Sequence, residues 1–210
     1  HYTYVGNLRL EGNKANNSAG THHGVEFVNT ASSTIEHVFV NGFDGRGLYL
    51  YLSAGNTLFN NTVINSEQYG IHIWQSSYNT IATNNISNLG SYGVYLSTAY
   101  FNTVTNNTAV GNSDGIYTAD DVTHTSFTGN IISKSSAEGF HLGSASNNVV
   151  AGNTITDSAR AGFAFNYASH NVFTGNVVQN NSRQGISMAN AGNNVITGNR
   201  LEGNGHAGAW

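Results

Sequence analysis

The sequence predicts an all-β solenoid, a coil of parallel strands with about eight to nine turns of 23 residues and three short strands per turn. Three observations carry this. One glycine recurs at Gly24, Gly47, Gly70, Gly93, Gly115, Gly139, Gly162, Gly185 and Gly208, spaced by 23 except for a 22 and a compensating 24 around Gly115. Two asparagine columns keep the same period: Asn61, Asn84, Asn107, Asn130, Asn153, Asn176 and Asn199, and Asn56, Asn79, Asn102, Asn148, Asn171 and Asn194, where Thr125 is the exception. Between these markers apolar and polar residues alternate in runs of three to five, the period of a strand. A repeat of this length is the signature of stacked supersecondary units. The spacing of three and four that an amphipathic helix requires is missing.

The elements follow in order. Residues 1–32 read as an N-terminal turn with a loop, 33–193 as regular turns and 194–210 as an incomplete last turn, all in one domain, 1–210. Within each turn a first apolar column holds Leu58, Ile81, Val104, Phe127, Val150, Phe173 and Ile196. The strand after the repeated glycine carries Ile71, Val94, Ile116, Phe140, Phe163 and Ile186, with Ile73, Leu96, Leu142, Phe165 and Met188 two residues on. Identical positions in successive turns stack about 4.8 Å apart. Asparagine at a corner can then hydrogen-bond the corners above and below, and Asn and Gly tolerate the left-handed backbone that corners need. The asparagine columns are therefore structural.

Composition narrows the function. The 210 residues include 32 Asn and 25 Gly, with no Pro and no Cys, and only 9% are charged, against about 25% in ordinary domains. Disulfide scaffolds and thiolate metal sites are excluded. A net charge of −4 and only two lysines, Lys14 and Lys134, argue against a nucleic-acid partner. No apolar run approaches the length of about 20 residues that spans a bilayer. The chain opens at His1 without an initiator Met, which reads as a mature protein or an excised piece.

Units of the form N-x-φ-x-G-N-x-φ followed by G-φ-x-φ, as in NVFTGNVVQNNSRQGISM, resemble the right-handed parallel β-helix of the pectate-lyase-like superfamily. They resemble most its carbohydrate-binding and sugar-hydrolase repeats, as in NosD-like periplasmic proteins and mannuronan C-5-epimerases. The resemblance runs from about Leu10 to Trp210. It implies a polysaccharide partner, an extracellular, periplasmic or cell-surface location, and a sugar groove along the strand opened by the repeated glycine.

The outward side chains of that strand are Glu26, Tyr49, His72, Tyr95, Tyr117, His141, Ala164 and Ser187, then Val28, Tyr51, Trp74, Ser97, Ala119, Gly143, Asn166 and Ala189. Aromatic and ionisable groups fill the early and middle turns and give way to small ones. Lyases and epimerases of uronate polymers remove the proton at C5, which needs a neutralised carboxylate, a base and an acid; His and Tyr suit the last two. The candidate catalytic residues are therefore Tyr49, His72, Tyr95, Tyr117 and His141. Glu26, Arg46, Tyr51 and Trp74 are the candidate substrate-binding residues: Arg46 as a bidentate carboxylate partner, Tyr51 and Trp74 as stacking faces.

Two functions stay open: a lyase- or epimerase-like enzyme, or a non-catalytic carbohydrate-binding, adhesive or filament-forming solenoid. The Asp-Pro-His motif of the epimerases is absent, with Tyr49-Leu50-Tyr51 in its place. A hydrolase would need paired carboxylates, offered by Asp114, Asp120, Asp121 and Glu138 around the 22-residue turn, whose slipped spacing predicts a bulge. With Asp44 and Glu67 these carboxylates could hold calcium. One Met and no Cys provide no soft copper set. His22 and His23 should diverge. Trp210 is a candidate lid over the last turn, and an uncapped coil could associate end to end.

Overall fold

A computed structural model describes residues 2–16 and 21–205; the proposed Trp210 lid lies outside them. The chain winds into a right-handed β-solenoid of stacked turns, each contributing one strand to each of three parallel sheets. Among the described residues two of these sheets have nine strands and one has eight, a two-stranded sheet pairs Val122–Thr123 with Ala145–Ser146, and each strand pairs with its counterpart one turn away. The first sheet includes Thr57–Phe59 and Thr80–Ala82, the second Thr62–Ile64 and Asn85–Ser87, the third Ile71–Trp74 and Val94–Ser97. Register is strict: Leu58 aligns with Ile81, Val63 with Ile86, and Ile71 with Val94. A short helical turn at Lys14–Asn16 follows the first strands.

The core is a column of apolar side chains enclosed by the three sheets. Ile35, Leu58, Ile81, Val104, Phe127, Val150 and Phe173 are fully buried from the first sheet. Phe140, Phe163 and Phe165 thicken the third sheet's side of the core, with Phe163 edge-on to Phe173 at 4.0 Å between centroids. The repeated glycine has a packing cause. A Cβ at Gly47 would lie 2.1 Å from Val63 Cγ1, and one at Gly115 2.2 Å from Ile132 Cγ2. The second sheet's side chains press on the backbone there, and no larger residue fits. Left-handed corners fall elsewhere, at positions such as Asn60, Thr83, Asn106 and Gly129.

The asparagine columns form continuous ladders. Asn61 donates from its backbone N–H and from Nδ2 to Asn84 Oδ1, at 3.0 and 2.9 Å, while Asn84 Nδ2 donates to Leu58 O at 3.0 Å. Asn84 repeats the pattern onto Asn107. In the other ladder Thr125 substitutes its hydroxyl, accepting from the Asn102 N–H at 3.3 Å. These side chains are at most 2% exposed from Asn56 to Asn176, so each ladder satisfies backbone groups that the corner would otherwise bury unpaired.

Candidate groove site on the third sheet

The third sheet's strands, from Val25–Val28 to Ile186–Ala189, align Glu26, Tyr49, His72, Tyr95, Tyr117, His141, Ala164 and Ser187 in one outward column. Because rungs lie about 4.8 Å apart, the flat side chains stack. Tyr49 and His72 meet at 5.2 Å and 17°, His72 and Tyr95 at 4.6 Å and 13°, and Tyr95 and Tyr117 at 5.4 Å and 25°. His141 closes the row edge-on to Tyr117 at 4.7 Å. In the next column Tyr51 stacks on Trp74 at 4.6 Å.

A second wall stands beside this row, built from the residue that precedes each repeated glycine. His23, Arg46, Tyr69, Tyr92, Asp114 and Glu138 make up this column. Tyr69 and Tyr92 stack on each other at 5.3 Å and 3°, and Tyr69 lies against His72 and Tyr95. Of this wall, Tyr69 and Tyr92 were not among the sequence candidates. The periodicity offered a signal for them, since both share Arg46's position in the repeat.

The wall buries part of the row that alternation placed outward. His72 is only 4% exposed and neither ring nitrogen has a hydrogen-bond partner. Burial, reinforced by the nearby Arg46 charge, pushes its pKa down to about 2, so the imidazole is neutral. Tyr49 is likewise 4% exposed, with its pKa raised by burial. Tyr95 and Tyr117 remain partly accessible, and burial raises both phenols. Tyr92 is pushed up to about 12 by burial, then by Tyr117 and Asp114.

Arg46, Tyr69, His72, Trp74, Tyr95, Ser97 and Asp120 line a depression of about 260 Å³ in this groove. Arg46 sits at one end with its guanidinium carbon 4.2 Å from the Tyr49 ring centre. Its Nη1 lies 3.2 Å from His23 Nε2, and its Nε is buried without a partner. Burial and this guanidinium lower the His23 pKa. Among the described residues no carboxylate pairs with Arg46. At the other end Asp120, exposed, accepts a 2.9 Å hydrogen bond from Ser97 Oγ. Asp120 and Asp121 both adopt positive φ, 54° and 67°, so the predicted bulge exists and swings a carboxylate into the depression. Glu26 lies exposed at the head of the row.

The carboxylates suggested for calcium do not assemble as one set. Asp44 pairs with His22 at 2.9 Å, while Asp121 accepts from Tyr100 at 3.4 Å. Among the described residues only Asp114 and Glu138 converge, together with His141. His22 and His23 diverge as expected, one toward Asp44 and one toward Arg46.

Solved structures share the fold at low identity. A point mutant of the periplasmic alginate epimerase AlgG superposes with a TM-score of 0.83 at 15% identity, over 100% of this chain and 60% of that one. The enzymatically active domain of tailspike protein 2 from bacteriophage CBA120 gives 0.79 at 13% identity, over 93% and 35%. The A-module of the Azotobacter vinelandii mannuronan C-5 epimerase AlgE4 gives 0.57 at 14% identity, over 86% and 62%. The chain thus spans less than two thirds of each of these three proteins. No curated protein matches the sequence. Residues 114–210 match the right-handed β-helix region. Residues 1–137, more than half of the chain, match the family described as periplasmic copper-binding protein (NosD). With no Cys and one Met, this chain does not hold the thiolate or thioether set that copper in its softer state selects. By the extent of that match, and with the solenoid it requires now traced turn by turn, the chain belongs to the NosD family.

Proposed function

We propose that this chain is a polysaccharide-active β-helix of the periplasm or cell exterior, acting on a uronate-containing polymer as a lyase or C5-epimerase. The observation that carries the reading is the depression itself. An unpaired guanidinium at one end and a carboxylate at the other flank a phenol that burial keeps protonated. A substrate carboxylate seated on Arg46 lowers the cost of removing the proton at C5, because charge developing on the carboxylate is met by a fixed cation. Asp120 accepts that proton and Tyr95 donates one. In a lyase the electron pair forms the C4–C5 double bond and expels the C4 oxygen, which takes the Tyr95 proton. In an epimerase C5 itself takes the proton on its opposite face.

Proton transfer rests on Tyr95 and Asp120, with Tyr117 the next phenol along the row. His72 and Tyr49 serve as packed rings, since a neutral imidazole with covered nitrogens neither takes up a proton near neutral pH nor meets a sugar. His141 stands outside the depression. Tyr51 and Trp74 support the sugar by stacking, and Glu26 meets the polymer at the groove's entrance. The alternative, a solenoid that binds sugar without changing it, is favoured by the missing Asp-Pro-His motif.

The test is a proton NMR time course in D₂O with polymannuronate, pectate and a neutral glucan. New alkene signals establish a lyase, and exchange at C5 with altered anomeric signals an epimerase. No product signals from any polymer, with the protein's own signals shifting on addition of one of them, would leave the binding solenoid.

A further inference from the structure

We propose that Asp114, Glu138 and His141 form a site for one divalent first-row metal ion, Zn²⁺ or Mn²⁺, at the far end of the aromatic row. One donor atom from each lies within 4.8 Å of the other two, a separation one ion can bridge at ordinary metal–ligand lengths of about 2.0–2.3 Å with small side-chain shifts. Two carboxylates and an imidazole suit such an ion better than calcium, which takes six to eight oxygens.

The cluster has more than acidity to recommend it. Asp114 is 4% exposed; its Oδ1 is satisfied by the Glu138 backbone N–H at 3.2 Å. Its Oδ2 pairs with His141 Nδ1 at 3.4 Å, so the imidazole faces the carboxylates. Two carboxylates brought together at a largely buried position repel each other unless a cation lies between them. The exposed Arg160 reaches Glu138 at 3.7 Å. On the outer side of the imidazole, Asn166 Nδ2 lies 2.7 Å from His141 Nε2. This contact aims Nδ1 at the carboxylates, and with the amide turned over, Asn166 Oδ1 would accept from Nε2–H, the support that metal-bound imidazoles ordinarily have. The 22- and 24-residue spacings fall at this place in the chain, on either side of Gly115.

Zn²⁺ titrated into the full chain by calorimetry, in a non-chelating buffer, should bind at one site per molecule. Glu138→Gln and His141→Gln should weaken it by at least about tenfold, and Asn166→Ala by about tenfold through the imidazole alone. His22→Ala, which removes the separate His22–Asp44 pair, should leave that site unchanged. Because Asp114 is buried and its variant could misfold, Glu138→Gln carries the test, with far-ultraviolet circular dichroism confirming its fold. Mn²⁺ should selectively broaden the NMR signals of His141 and Asn166. Zn²⁺ binding that survives Glu138→Gln, that is lost in His22→Ala, or that is absent at micromolar concentrations would overturn the assignment.

Discussion

The corner ladders and the groove sheet are built on one 23-residue period, yet they use it in opposite ways. In the ladders nearly every turn has the same residue, because each asparagine satisfies the backbone of the next turn and is satisfied in return. On the groove sheet the outward residue changes at almost every turn, from Glu26 through His72 to Ser187. An outward side chain owes its neighbour only a compatible shape. Uniformity along a column thus marks a structural obligation, and variety marks freedom that a site can use. The aromatic turns end at His141, and the column continues with Ala164 and Ser187.

The strongest way to break this comparison is within a ladder. Asn130 accepts from the Asn107 backbone N–H and side chain, and donates to Asn153 Oδ1 and Val104 O. Asn130→Ala removes buried hydrogen bonds to both neighbouring turns, leaving the Asn107 N–H without its acceptor, and should cost about 3–5 kcal/mol, read as a lowered urea midpoint. A loss under about 1 kcal/mol would mean that the corner repairs itself with water and that the ladder is decorative.

Arg46→Gln makes the opposite test, large in function and small in stability. Removing the one charge at the head of the depression should lower turnover or binding of a uronate polymer by about 10²-fold, the size seen for a lost electrostatic donor. Its urea midpoint should move little, because the guanidinium has no carboxylate partner to lose. Equal loss on a neutral glucan would detach Arg46 from carboxylate recognition.

The same contrast explains how much could be read beforehand. Core columns, ladders and strand register were legible because each depends on a contact that repeats at one period. The row Tyr49–His72–Tyr95–Tyr117 was legible for the same reason. Burial of His72 was not, since alternation says which face a side chain leaves from and nothing about a wall from the neighbouring column. Tyr69 and Tyr92 form that wall, and their shared position with Arg46 was the overlooked clue. Asp120 reads as a corner residue in sequence; only the consecutive positive φ angles at Asp120 and Asp121 turn it into the depression. The repeated glycine was visible, but its cause, contact with Val63 and its equivalents, needed the opposite sheet.

His72 links stability to pH. Its folded pKa of about 2 is far below the ordinary value near 6.5, so below pH 6.5 the unfolded chain binds a proton that the folded chain refuses. Stability is fully present above that pH and is lost as pH falls, by up to about 1.4 kcal/mol per unit. At pH 4.5 the loss from this group should be about 2–3 kcal/mol. His72→Phe keeps a flat ring between Tyr49 and Tyr95 and should flatten that acid limb in urea titrations at pH 4.5 and 7. An unchanged acid limb would mean that His72 is wetter than its burial implies.

The smallest effect concerns a second aromatic stack, on a corner and not in the groove. Tyr78 and Phe101 stack at 5.1 Å and 4°, and Phe101 meets His124 at 4.8 Å and 23°. All three sit at positive φ, where other turns place Gly55 or Asn147, so each ring occupies a backbone region that suits it badly. Phe101→Gly removes two stacking contacts worth about 0.5–1.5 kcal/mol each and relieves about 1 kcal/mol of strain. The stacking loss, about 1–3 kcal/mol in all, equals or exceeds the relief, so the net change should be a destabilisation of about 0–2 kcal/mol. Tyr78→Gly, which loses a single stacking contact for the same relief, should then be neutral or slightly stabilising. A destabilisation above about 2 kcal/mol for either variant would show that this corner obeys a ladder's rules after all, with aromatic rings in place of amides.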